Sequence, residues 1–354
     1  MKSRYLVRPT EKEDWLSCTE TETELSVCLL HPVGPNAMLE VRDGLYKQGN
    51  SEPYHQHDVG SEIFYLREGT VEITIRGLRV PMQAGDMAFI APGLPHGISF
   101  PAKKTVWRVF LQGMDVNQRR ENRNRIAAWY PQVWDDPAFC EMFNGLNGSF
   151  PCKQPAAGAA ELSEVPEVRT PSFAWATFQV PGAVLRQVVG RWETGGLYEV
   201  WRIVGHKGLR VEWNAPHPNW ELYQVICGEV RLTTPDETVT AKTGELLRVP
   251  PYCTHTLEVL TDECELADMG CSIRLLNLLE DLRSMEQACR VILPSAAAFC
   301  AATAALSPNG SIRTKRSSCI PEGWKEPKKN LRFPNGKFFL CQRIPVRIFE
   351  RGFF

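Results

Sequence analysis

The stretch Gly49–Gly69, GNSEPYHQHDVGSEIFYLREG, sets two histidines two residues apart, a glutamate five residues on, and a glycine seven residues after that. On a β-strand, side chains two apart share a face, so His55 and His57 can turn both imidazoles into one pocket while Tyr54 and Gln56 face away. After a turn through Asp58, Val59, Gly60 and Ser61, the β-branched and aromatic run Glu62 to Leu66 reads as a second strand that returns Glu62 beside the histidines. Two imidazoles and a carboxylate suit a borderline divalent cation, Fe(II), Mn, Ni, Cu or Zn, whereas Mg and Ca prefer shells of oxygen.

The pattern returns at an offset of about 159 residues. ELYQVICGEVRLTT from Glu221 parallels EIFYLREGTVEITI from Glu62, and GELLRVPPYCTH parallels GDMAFIAPGLPH. Gly69 to Gly85 and Gly228 to Gly244 are both 16 residues, and Glu62 to His96 and Glu221 to His255 are both 34. Coincidence does not preserve these intervals together, so the chain is expected to contain one unit twice.

With these residues in view, the first unit resembles the cupin family. Gly49, His55, His57, Glu62 and Gly69 fill the pattern G-x5-H-x-H-x4-E-x6-G, and Gly85, Gly93 and His96 are in register with the second family motif. Ala91 stands where that motif usually has proline and Phe100 where asparagine often falls. The resemblance implies His96 as a fourth ligand beside His55, His57 and Glu62. In the second unit Ala215 replaces the first histidine, leaving His217, Glu221 and His255 as a reduced set, with Pro216 and Pro218 flanking His217 and Tyr252 replacing a glycine. A degenerate structural copy is the favoured reading of that half, because proline restricts a strand to an edge or bulge.

The expected fold class is therefore all-β: two cupin jelly-roll barrels in tandem, with helical connecting and C-terminal segments. The expected divisions are a lead-in over 1–36, a first barrel over 37–113, a partly helical connector and linker over 114–183, and a second barrel over 184–270. A terminal helical segment over 271–306 and a basic, disordered tail over 307–354 follow. Phe64, Phe89, Phe100 and Phe110 are candidates to line a substrate pocket, against the default of core packing. His31 and His206 sit in turn-like contexts without partners at ligand spacing.

The resemblance to quercetin-dioxygenase-like bicupins implies an Fe(II)-dependent dioxygenase acting on a small aromatic or enolisable substrate with O2. Glu62 would then serve as ligand or as the base that takes the substrate proton. A metal-dependent decarboxylase or isomerase, and a binding protein without catalysis, are the alternatives, since fold does not choose among them. A homodimer is compatible with all three.

Composition bounds these readings. The 354 residues, 43% hydrophobic and 23% charged, fit a soluble two-domain chain. After residue 312 there are 11 Lys/Arg against 3 Asp/Glu, leaving 29 against 38 in the acidic main body, which argues against nucleic acid as a partner. The N-terminus shows no secretory pattern and no stretch is apolar enough for a membrane span, so a cytoplasmic protein is expected. Twelve cysteines without C-x-x-C pairs are expected to be reduced thiols.

Overall fold

The computed structural model describes residues 3–8, 16–17, 24–30, 39–153, 158–159, 166–180, 182–213, 220–269 and 346–348. His31, Ala215, His217, the expected helical segment over 271–306 and most of the expected tail lie outside the described residues.

The first barrel is built from β1 (Glu24–Leu30), β2 (Leu39–Lys47), β3 (Ser51–His57), β4 (Ser61–Glu68), β5 (Thr70–Ile75), β6 (Leu78–Gln83), β7 (Met87–Ile90), β8 (His96–Ser99) and β9 (Lys104–Gln112). One sheet runs β7-β4-β9-β2-β1 and the facing sheet β3-β8-β5-β6, all by antiparallel neighbours. Alternate residues of β4 explain its continuous apolar reading. Phe64 and Leu66 enter the barrel core, while Ile63 and Tyr65 enter a different buried cluster on the outer face.

Parts of the expected connector pair with this unit. Asp115 caps α1 (Val116–Trp129) by accepting from Gln118 N, and Asp136 caps α2 (Pro137–Leu146) by accepting from Ala138 N. Pro137 occupies the first turn of α2, where its missing N–H costs nothing. After α2, β10 (Ser149–Pro151) pairs with β3, and Val168–Arg169 pairs with β7.

The second barrel follows the same plan. Its larger sheet joins β11 (Ala176–Val180), β12 (Ala183–Val189), β13 (Val200–Gly205), β14 (Glu221–Cys227), β17 (Leu246–Val249) and β19 (Cys264–Asp268) in the order β17-β14-β19-β13-β12-β11. The facing sheet includes β15 (Glu229–Thr233), β16 (Thr238–Lys242) and β18 (His255–Val259). Leu6–Val7, in the expected lead-in, extends the larger sheet at β17, and Tyr5 is fully buried in this barrel's core. In each barrel the glycine seven residues after the glutamate has positive φ. A Cβ on Gly69 would lie 2.4 Å from Lys104 O and one on Gly228 2.6 Å from Glu263 O, so the repeat requires glycine twice.

Val41, Ile63, Tyr65, Met87, Phe89 and Phe110 of the first barrel share one buried cluster with Val188, Tyr198, Val200, Leu222, Leu246 and Ala267 of the second. The larger sheets thus meet face to face. Arg108 adds a buried polar clamp there: it donates to both carboxylate oxygens of Asp43, at 2.6 and 2.8 Å, and to Gly244 O at 2.9 Å. A separate compact unit comprises residues 211–215 and 273–354, whose described residues pair Val211–Trp213 with Val346–Ile348 as antiparallel strands.

Candidate metal centre

β3, β4 and β8 place the four first-barrel residues singled out by the motif around one point. Nε2 atoms of His55 and His57 are 3.1 Å apart. Glu62 Oε2 lies 3.1 Å from His96 Nε2, and Glu62 Oε1 lies 3.5 Å from His57 Nε2. The backbone fixes which nitrogen each ring presents. Nδ1 of His55, His57 and His96 faces the carbonyl oxygens of Pro53 (2.7 Å), Gly148 (3.3 Å) and Leu94 (3.1 Å). A carbonyl only accepts, so each Nδ1 carries the proton and each Nε2 turns a lone pair inward, the tautomer a metal requires.

The electrostatics suit a cation at His55 and His57, whereas at His96 burial, which lowers it, is outweighed by the hydrogen bond and charge of Glu62, which raise it above its usual range. Burial, then the neighbouring His96, pushes His55 down to about 4, and burial also lowers His57. Burial alone would raise Glu62, but the hydrogen bond and charge of His96 outweigh it and hold the carboxyl below its usual range. His96 Nε2 and Glu62 Oε2 are buried 3.1 Å apart, with no other partner among the described residues. Ligand atoms of His55, His57 and His96 fall within 4.8 Å of one another. Three convergent imidazoles and a buried carboxylate fit a borderline divalent ion.

Two residues beyond the motif face this end of the barrel. Opposite His96 stands His55, but opposite Ile98 stands Glu52, so β3 carries one extra residue at Pro53 and Tyr54. This bulge reverses the alternation and brings Glu52 to the inner face, where Tyr46 Oη donates to it at 3.5 Å. Burial and the charge of Glu62 raise Glu52 to about 8. Arg119 of α1 donates to Asn144 Oδ1 of α2 at 2.7 Å, and its charge acts on both His57 and Glu62. Sequence spacing carries no signal for Arg119, which is one of several arginines along α1.

The four phenylalanines divide by strand parity. Phe64 stacks on Trp107 (4.6 Å between ring centroids), Trp107 meets Phe100 edge-on (5.1 Å), and Phe100 stacks on Tyr46 (4.0 Å), filling the barrel beneath the histidines. Phe89 and Phe110 lie on the opposite face, in the cluster between the two barrels. They do not face the metal centre: neighbours one residue away on β7 and β9 take the inward positions.

In the second barrel Glu221 and His255 come together, with His255 Nε2 3.0 Å from Glu221 Oε2. The residue equivalent to Phe64 is Tyr223, and its hydroxyl donates to Glu221 Oε2 at 2.5 Å and lies 3.3 Å from His255 Nε2. A phenol therefore sits where the first barrel leaves room for an ion.

Residues 44–110 match the family model described as a cupin domain, and residues 202–307 match an AraC-like ligand binding domain. The fold is thus two cupin-type barrels in tandem. Among the described residues the convergent histidine triad lies in the first of these barrels. Similar solved structures include the formate complex of Lactobacillus farciminis oxalate decarboxylase, 14% identical with TM-score 0.49, covering 76% of this chain and 86% of that one. A Bacillus subtilis oxalate decarboxylase structure from work on its Mn(II) centres is 17% identical with TM-score 0.44, covering 70% and 72%. Among curated proteins no sequence matches. No helix among the described residues is long and apolar enough to cross a membrane, and Cys28, Cys140, Cys152, Cys227, Cys253 and Cys264 are free thiols.

Proposed function

We propose that the first barrel of this bicupin is a metal-dependent decarboxylase of a small organic acid, with His55, His57, Glu62 and His96 as ligands. The observation that carries this reading is the pairing of a convergent ligand set with an aromatic floor. Phe64, Phe100 and Trp107 are each at most 2% exposed, so they fill the barrel, and the substrate that remains feasible is small. Mn(II) or Fe(II), with Ni, Cu or Zn as substitutes, would supply Lewis acidity toward the substrate oxygens.

The protein groups account for the remaining steps. Arg119 provides a cation at the mouth for the acid's carboxylate. When the carbon–carbon bond breaks, CO2 leaves and the electron pair stays on the substrate carbon. Glu52, protonated near neutral pH at its raised value of about 8, delivers a proton to that carbon and regains one from solvent. The aromatic floor excludes water, which strengthens the charge interactions around the reacting carboxylate.

A dioxygenase is the second reading, favoured by the same residues: an ion held by His55, His57, Glu62 and His96 would also supply the chemistry to activate O2. The deciding experiment incubates full-length protein, loaded with each metal in turn, with small mono- and dicarboxylic acids while CO2 and O2 are both followed. Metal-dependent CO2 release without net O2 uptake, abolished in His96→Ala and largely retained in His255→Ala, is expected. O2 uptake stoichiometric with product would replace the decarboxylase by the dioxygenase.

A further inference from the structure

At the joint between the larger sheets the two barrels leave a cleft of about 220 Å³, lined by Tyr65 and Arg67 of β4, Val106 of β9, Gln224 and Ile226 of β14, and Gly244 ahead of β17. At the repeat offset of 159, Tyr65 is equivalent to Gln224 and Arg67 to Ile226. The two copies bring matching positions to one cleft and furnish them differently, with a phenol and a guanidinium from the first, an amide and an apolar side chain from the second. Leu66 stands opposite Trp107 but Glu68 opposite Val106, so Arg67 is the extra residue of a bulge, and its bond to Asp43 shows that it points to the joint. Phe64 and Leu66 take the inner face of β4, which separates this cleft from the metal centre.

Charge at the cleft does not cancel. Asp43 accepts from Arg108 through both oxygens and from Arg67 Nη1, so one carboxylate serves two guanidinium groups. Arg202 pairs with Glu265 and, at the rim, Lys104 with Glu68, which leaves one positive charge over. Arg67 Nη2 makes no hydrogen bond among the described residues. It lies against Gly244, where a Cβ would come within 3.0 Å of it, so glycine keeps this donor uncovered. Gln224 is 2% exposed and its Oε1 has no hydrogen-bond partner. A buried oxygen left unsatisfied costs about 1–3 kcal/mol, which a ligand bringing an O–H recovers.

These groups define a complementary molecule. One surplus cation balances one negative charge, and a dianion would add repulsion from Glu68 at the rim. Arg67 Nη2 and the Tyr65 hydroxyl are donors that match the two oxygens of a carboxylate, Gln224 Oε1 is an acceptor that matches a hydroxyl, and Ile226 and Val106 form an apolar wall for a short carbon chain.

We propose that the joint between the barrels binds a small 2-hydroxycarboxylate. Its carboxylate accepts from Arg67 and Tyr65, and its hydroxyl donates to Gln224. The site shares no residue with the metal centre and stands or falls independently of the reaction proposed there.

The test titrates the full-length protein with lactate, lactamide and propanoate by calorimetry and thermal shift. Lactamide replaces the carboxylate by a neutral amide on the same frame, and propanoate removes the hydroxyl. Lactate is expected to bind saturably, at least tenfold tighter than lactamide and at least threefold tighter than propanoate, with a matching rise in Tm. Arg67→Gln should weaken lactate binding at least tenfold, and Gln224→Met, which keeps the side-chain volume, at least threefold, while His57→Ala at the metal centre leaves it unchanged. Lactate binding no tighter than lactamide, no binding at all, or full lactate affinity in folded Arg67→Gln and Gln224→Met overturns the proposal. Loss of lactate binding in folded His57→Ala would assign the ligand to the metal centre and overturn it equally.

Discussion

At Nδ1 of His55, His57 and His96 three backbone carbonyls choose the tautomer, so ligand competence is written into main-chain geometry. The same scale separates the two barrels. Phe64 and Tyr223 are equivalent in the repeat and differ by one hydroxyl, which in the second barrel lies between Glu221 and His255. Phe64→Tyr should therefore carry the second-barrel solution into the first, its hydroxyl competing with a cation for Glu62 and His96. Metal analysis of the purified variant should show affinity at least tenfold lower with the fold intact by circular dichroism. Undiminished metal content would show that the phenyl position does not border the ion.

Among the elements, β3 departs most from its sequence reading. Strict alternation from His55 sends Glu52 outward, and the extra residue at Pro53 and Tyr54 sends it inward. Proline within a strand is the one sequence signal for such a bulge. The consequence is a pH dependence. Glu52 has a folded value of about 8 against an ordinary value of 4.5, so between these the native state holds a proton that the unfolded state has lost. Stability of the metal-free protein should accordingly fall as pH rises from about 4.5 to 8. Glu52→Gln should flatten that fall and raise Tm at pH 8, by thermal denaturation across the range. An unchanged slope would place Glu52 in water.

The molecule as a whole is stabilised by the joint between the larger sheets. Apolar side chains from both faces fill it, and Asp43 accepts from Arg108 and also from Arg67 at 2.8 Å. Removing one partner of a buried pair strands the other charge, at a cost of about 3–5 kcal/mol. Asp43→Ala is expected to lower stability by about that amount in denaturant unfolding, with metal stoichiometry of the folded protein unchanged, because Asp43 lies on the strand face away from the histidines. A loss below about 1 kcal/mol would mean that water reaches the joint and the sheets contribute independently.

The spacing of His55, His57, Glu62 and Gly69, and its echo at Glu221, Gly228 and His255, were sufficient to read a repeated β-unit and a candidate cation site, because strand alternation and positive φ are local constraints. Four phenylalanines read as one pocket because an apolar strand residue carries no mark of which buried face it takes. Tertiary packing assigned Phe64 and Phe100 to the barrel floor and Phe89 and Phe110 to the joint. It also brought the chain's first residues to the second barrel at Tyr5, closed the first with β10, and set Glu52 and Arg119 at the metal centre. Local sequence thus determined the candidate ligand set and the turns that present it. Everything requiring two distant segments to bury a common surface was decided by the three-dimensional fold, since burial depends on what lies across the gap.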